Sequence, residues 1–284
     1  SSEITYLKYL AKQAGGLSDE MFIQDPFQSN RSRNWFEVDW LLYNLKYKKE
    51  FSANTNFSFS FFGLEAKRNS LGFRTNRVGQ IDSGQERDLI KGDFSNFGFE
   101  TRLLTNYKAF KSKSYFLIGL KYYNSNSSSI QGPGSNGDDA NFNFQYSSYP
   151  NYTNQSNYIY PNRNIALFGE NIFYLNDKFS ITPGFRYENI ITKSDGFYRK
   201  INLDGAGNVI FNEKFDEIDE KKRNFLLLGL GISYKANRNL EIYTNLSENY
   251  RSVTFADISI INPAYAVNPE IDDEKGYTFD LGLR

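Results

Sequence analysis

Chemistry in this 284-residue chain has to be done without histidine or cysteine. Their absence removes thiolate nucleophiles, disulfides, imidazole metal sites and every His-based catalytic pair. Paired carboxylates with no poised nucleophile beside them make a poor hydrolase, so no enzyme is expected. Three polar patterns remain. Gly132-Pro133-Gly134-Ser135-Asn136-Gly137 matches G-x-G-x-x-G, but no strand-to-helix context surrounds it and Pro stands where a phosphate would approach, so it reads as a flexible loop. Asp138, Asp139, Asn141 and Asn143 offer oxygen ligands to Ca²⁺, yet Phe144 occupies the place of the turn glycine, and solvated loop polarity is the expected reading. Tyr146, Tyr149, Tyr152, Tyr158 and Tyr160 either stack on a ligand or pack a loop on itself, the second being favoured.

These patterns lie between strands. In residues 225–234, Leu226, Leu228, Leu230, Ile232 and Tyr234 alternate with Gly229, Gly231 and Ser233, the period of two of a strand with one apolar side. That side fills about ten residues, the length a tilted strand needs to cross a membrane. Residues 235–239 turn the chain, and Ile242, Thr244 and Leu246 return across the same thickness. Such a pair is the unit of a transmembrane β-barrel. Further strands are expected at 35–48, 57–61, 97–103, 116–122, 165–175, 180–188 and from 277 onward. The first changes phase, and a bulge near Leu41 is expected to absorb that. Glu100, Arg102, Lys121, Arg186 and Glu188 fall on the lumen-facing side, where their opposite charges pair wall to wall or with a lumen-filling segment.

With Lys+Arg 33 against Asp+Glu 33 the chain is neutral, so no basic surface argues for nucleic acid. No apolar run approaches the ~20 residues of a membrane helix. A mean hydropathy of -0.59 does not weigh against a barrel, because lumen-facing polar residues cancel lipid-facing apolar ones. Connections near Ser52, Lys111, Asn176 and Asn237 are short, whereas 68–94, 124–162, 193–223 and 251–276 are long, and the two kinds alternate. Outer-membrane barrels have this asymmetry, with short periplasmic turns and long external loops; a soluble sandwich has no reason for it. The third long loop is expected to carry a small hairpin at 204–208. Residues 1–34 read as an external loop segment, with a candidate helix over 3–12, and residues 35–284 as partial barrel. The start lacks a signal-peptide pattern and the end stops inside an alternating strand. About nine strands also violate the even number of a closed bacterial barrel, so a fragment of a longer chain is expected.

The runs Leu167-Phe168-Gly169-Glu170-Asn171, Thr182-Pro183-Gly184-Phe185-Arg186-Tyr187-Glu188, Asn249-Tyr250-Arg251-Ser252-Val253-Thr254-Phe255 and Asp273-Glu274-Lys275-Gly276-Tyr277 resemble the barrel region of TonB-dependent outer-membrane receptors. The second run is common to that superfamily. The run Tyr250–Asp257 and Gln131-Gly132-Pro133-Gly134 resemble more particularly the ferric dicitrate-type receptors of Bacteroidetes-like bacteria. The resemblance implies an all-β fold: about nine strands of a barrel of about 22, in the outer membrane of a Gram-negative bacterium. It also implies an N-terminal plug and a TonB coupling region that this sequence lacks, no resident cofactor, and lipid and lipopolysaccharide as neighbours. The implied function is uptake of an iron complex, ferric dicitrate or another ferric siderophore; the alternative is a passive channel or surface adhesin. An anionic ferric chelate calls for guanidinium groups, which hold a carboxylate with two parallel hydrogen bonds. Arg74, Arg77 and Arg251 are the candidates the resemblance implies; pairing with Asp82, Glu86, Asp257 or lipopolysaccharide phosphates is the alternative for each.

Overall fold

The computed structural model of the chain describes residues 1–284 apart from 14, 76, 111 and 253–271. Ten antiparallel strands follow one another in chain order within a single sheet: β1 (Ser2–Lys12), β2 (Trp35–Ser52), β3 (Thr55–Gly72), β4 (Asp88–Ala109), β5 (Ser112–Pro133), β6 (Gln155–Tyr174), β7 (Phe179–Leu203), β8 (Val209–Asn237), β9 (Leu240–Arg251) and β10 (Glu274–Leu283). A short helix, α1 (Asp19–Gln24), lies between β1 and β2. The sheet is open, with β1 and β10 at its edges.

Antiparallel register converts local alternation into two continuous surfaces. On one, Leu120, Leu167, Tyr187 and Leu226 stand opposite one another from β5 to β8. Lower down, Pro183, Leu230, Leu246 and Phe279 do the same from β7 to β10. These side chains are exposed, and a band of this extent is stable only against lipid. The opposite surface is polar. Ser60, Glu100, Lys121, Ala166 and Glu188 form one row across it. Arg102, Gly119, Phe168 and Arg186 form the next. Arg102 pairs with Glu100 at 2.6 Å and Arg186 with Glu188. Both guanidiniums also lie over the Phe168 ring, 5.7 Å and 5.4 Å from its centroid. That ring occupies the space a side chain on Gly119 would need, so glycine is required there. The expected wall-to-wall pairing is realised between residues two apart on the same strand.

Several expectations are corrected. Residues 2–12 form strand β1, paired residue for residue with β2, so the loop expected over 1–34 shrinks to 13–34 and the helix expected over 3–12 is absent. The helix lies downstream, where Ser18 caps α1 by accepting from the Met21 N–H at 3.3 Å and Asp19 and Glu20 occupy its first turn, as the helix dipole favours. Among the described residues the strands therefore number ten, against the expected nine or so. No bulge occurs near Leu41, since β2 pairs continuously with β1 and β3 through that point, and the register shifts only at Glu50/Ser52. Leu41, Tyr43, Leu45 and Tyr47 share the apolar face, while Val38, Trp40 and Leu42 lie on the other. Most long loops are shorter than expected because strands run beyond the apolar band. β3 and β4 reach Gly72 and Asp88, β5 and β6 reach Pro133 and Gln155, and β7 and β8 continue to Leu203 and Val209. At about 3.3 Å per residue, the 25 residues of β7 span roughly 80 Å, far beyond a membrane. The hairpin at 204–208 is present as the tip of this ribbon: the Asp204 carboxylate accepts from Ala206 and Asn208 N–H groups at 2.8 Å, and Gly207 takes φ +85, which glycine adopts without strain. The loop expected at 251–276 lies largely outside the described residues.

Candidate functional site

At the long-loop end of β2 and β3 lies an open cleft of 1360 Å³, bordered by Gln13, Gly15 and Gly16 before β2, by Phe73, Thr75 and Gln80 after β3, and by Asn154. Three of its lining residues are Arg31, Arg74 and Arg77. Arg31 is almost wholly buried. Its guanidinium donates to the carbonyls of Asn30 (2.7 Å), Gln80 (3.1 Å), Arg77 and Val78 (both 3.4 Å) and lies over the Phe73 ring. It shapes the 77–80 turn. Arg77 is exposed and makes no ion pair among the described residues. Arg74 is 47% exposed and places Nε 2.8 Å from Asp88, with Nη2 3.0 Å from Ser70 Oγ. Asp88, at the start of β4, is only 4% exposed. It also accepts from Gln131 Nε2 at 3.0 Å and 2.9 Å and from the Tyr152 hydroxyl at 2.8 Å. Burial pushes its carboxyl above the usual range while these donors and the Arg74 charge pull it back, and burial beside Asp88 raises the Tyr152 hydroxyl above its ordinary value.

A second arginine network anchors the loops around this cleft. Arg87 is fully buried; it donates to the carbonyls of Ser135 (2.9 Å), Arg33 and Asp139 (both 2.8 Å) and to Ser135 Oγ (2.6 Å). It joins the entry to β2, the entry to β4 and the connection after β5. Arg33 forks onto the Asp82 carboxylate and donates to the carbonyls of Gln85 (3.1 Å) and Asn136 (2.8 Å). The Arg33 hydrogen bond holds the Asp82 carboxyl below the usual carboxylate range. The connection after β5 then folds against the apolar-face side of the sheet, with Gly134 against Leu71 and Leu89 and Tyr146 over Gly132.

The sequence candidates separate accordingly. Arg74 and Arg77 share the cleft. Arg251 ends β9, six strands from β3 in the sheet, exposed and paired with Glu274 at 3.0 Å. Asp82 is taken by Arg33 rather than by either loop arginine, and Asp257 lies outside the described residues. Gly134 N–H donates to the Arg87 carbonyl at 2.7 Å and no helix follows, so G-x-G-x-x-G makes no phosphate cradle. Asp139 faces Arg87, and the described residues hold no metal cluster. Tyr146 and Tyr152 serve loop packing, whereas Tyr158 and Tyr160 belong to β6, stacked on each other with the Tyr158 hydroxyl donating to Glu217 at 2.7 Å. Arg31 and Asp88 escaped sequence reasoning, because both sit in polar runs where only tertiary contact separates a keystone from a solvated residue.

A meander of membrane-spanning strands with an apolar outer band, a charged inner wall and arginine-rich connections at one end defines an outer-membrane-type β-barrel wall. The profile of the family described as TonB dependent receptor-like, beta-barrel, matches residues 5–284, and the chain belongs to that family. The family places the chain in the outer membrane of a Gram-negative bacterium, as part of a receptor-type barrel wall. A search of the curated proteins finds no match. Among solved structures the chain is similar to the ferric citrate transporter FecA in its unliganded form, with TM-score 0.69 and 18% identity over 100% of this chain and 37% of that one. It is also similar to the ferric-catecholate import receptor Fiu from K12 E. coli, with TM-score 0.71 and 12% identity over 99% and 45%. The siderophore receptor PiuA from Acinetobacter baumannii gives TM-score 0.66 and 13% identity over 99% and 44%. Identities this low carry the fold alone, and the chain spans less than half of each relative.

Proposed function

We propose that this chain forms wall and outer mouth of a receptor that binds and imports an anionic iron chelate, ferric dicitrate or another ferric siderophore. Transport is driven by the TonB complex acting through an N-terminal region, with lipid and lipopolysaccharide against the apolar face. The observation that carries this reading is the cleft in which Arg74 lies together with Arg77, which has no ion pair among the described residues. Two guanidiniums there supply the donors and the charge that a chelate's carboxylates require. The ligands named for FecA, Fiu and PiuA lend the iron-complex class support. Arg251 enters as a separate contact, whose partner Glu274 is as exposed as itself and is displaced by an anion at little cost.

The test uses the full-length receptor with Arg74, Arg77 and Arg251 changed to Gln singly and together. Binding of ferric dicitrate is measured by fluorescence quenching and uptake with ⁵⁵Fe. The triple variant should fold and lose most binding, with the Arg74 and Arg77 changes acting more strongly than the Arg251 change. Unchanged binding and import in the triple variant would make these arginines structural and remove the ligand assignment.

A further inference from the structure

Arg74 is not held as a surface arginine usually is. Its partner Asp88 is buried and cannot follow it into solvent, and the carboxylate is itself fixed by Gln131 from β5 and Tyr152 from the connection after β5. The strand positions opposite Asp88 are Gly72 and Pro133, so no side chain from Gly72 crowds the carboxylate and no N–H from Pro133 competes for it. The single ion-pair contact uses Nε, and Nη2 rests on Ser70 Oγ. Nη1 makes no hydrogen bond among the described residues, and Arg74 is one of the residues that line the cleft. A long, flexible side chain is thereby held in one orientation with a donor left over, the arrangement that lowers the ordering cost of capturing an anion.

We propose that Asp88 is a positioning residue for anion recognition: it presets Arg74 in the cleft, so that its negative charge strengthens rather than weakens binding of an anionic chelate. This rests on the reading of Arg74 as a ligand contact. The opposing effect is plain, because a carboxylate beside the guanidinium also competes with the incoming anion. Burial decides between them. Asp88 has two neutral donors besides Arg74, so the guanidinium is free to share its remaining edge with a ligand without stranding the carboxylate.

The experiment is a double-mutant cycle in the full-length receptor with ferric dicitrate as probe, comparing Asp88→Asn, Arg74→Gln and the pair, with thermal unfolding followed for each. Asp88→Asn keeps shape and removes charge. It should weaken binding about tenfold, the scale of one lost charged contact, and should have no further effect once Arg74 is Gln. Asp88→Glu should recover part of the affinity. Tighter or unchanged binding in Asp88→Asn, with Arg74→Gln still weakening it, overturns the positioning role and leaves the arginine site standing. An equal loss in both Arg74 backgrounds assigns Asp88 to loop stability and likewise overturns the role. No effect of Arg74→Gln removes the arginine site and this inference together. If Asp88→Asn does not fold, Tyr152→Phe and Gln131→Leu, which loosen the same carboxylate, take its place and should weaken binding only while Arg74 is present.

Discussion

Single arginines in this molecule do different work according to what surrounds the guanidinium. Arg87 is fully buried and spends its donors on three backbone carbonyls and a hydroxyl, so it is a structural pin. Arg77 is solvated and uncommitted, while Arg74 is half of each. Arg33 illustrates a third role, because its fork onto Asp82 ties the connection between β3 and β4 to the entry of β2. In the folded state the hydrogen bond from Arg33 holds the Asp82 carboxyl below the usual carboxylate value. Its stabilisation is therefore complete above that value and is lost as pH falls through the lowered one. Hydrogen exchange of residues 78–86 in the full-length receptor should accelerate as pH is lowered below about 4 relative to neutral controls corrected for intrinsic rates. Arg33→Gln should show fast exchange already at neutral pH. Pair-independent protection at acid pH would remove Asp82 from the account.

Strands here serve two solvents along one length. β8 presents Leu226, Leu228 and Leu230 to lipid, yet its first half carries Glu213, Asp216, Glu217, Asp219, Glu220, Lys221 and Lys222. Backbone pairing with β7 runs unbroken from Tyr234 to Asn212 regardless. The ladder stabilises any extended pair, and side chains decide only which solvent each half meets. Leu228 is 53% exposed beside Phe185. Leu228→Arg should cost about 2 to 4 kcal/mol near the bilayer midplane, read from urea-dependent folding of the full-length receptor into lipid vesicles. Gly231→Arg, on the polar face, should cost less and act by crowding. Equal costs would reverse the facing of β8.

At the scale of the whole molecule, the open sheet leaves the free sides of β1 and β10 without strand partners among the described residues. Leu281 and Leu283 on β10 and Ile4 and Tyr6 on β1 are exposed beside those edges. Unpaired backbone next to apolar side chains recruits further strands. A polypeptide of residues 1–284 placed in detergent-free buffer should therefore aggregate rather than remain monomeric, as sedimentation velocity would record. A monomer that melts cooperatively in water would contradict the membrane assignment of the apolar face.

The amino-acid sequence alone determined most strands of the apolar band, the facing of those whose alternation is unbroken, and the alternation of short and long connections. Lipid on one side and polar groups on the other impose a period of two that survives in residues such as Leu226 to Tyr234 whatever their neighbours are. Two kinds of information waited for the tertiary structure. Strand segments beyond the apolar band, such as the ribbon of β7 and β8 beyond Lys193, have no one-sided solvent to imprint a period, and only pairing with a neighbour holds them extended; β1 carries too short an alternation, Ile4 and Tyr6, to stand out, and is fixed by its pairing with β2. The roles of polar loop residues waited as well: Arg31, Arg74, Arg77 and Arg87 are alike as letters, and Asp88 sits fourteen positions from Arg74 (88 − 74). Antiparallel pairing of Gly72 with Asp88 closes that distance, and burial between β3, β5 and Tyr152 makes one carboxylate the fixed point of the cleft.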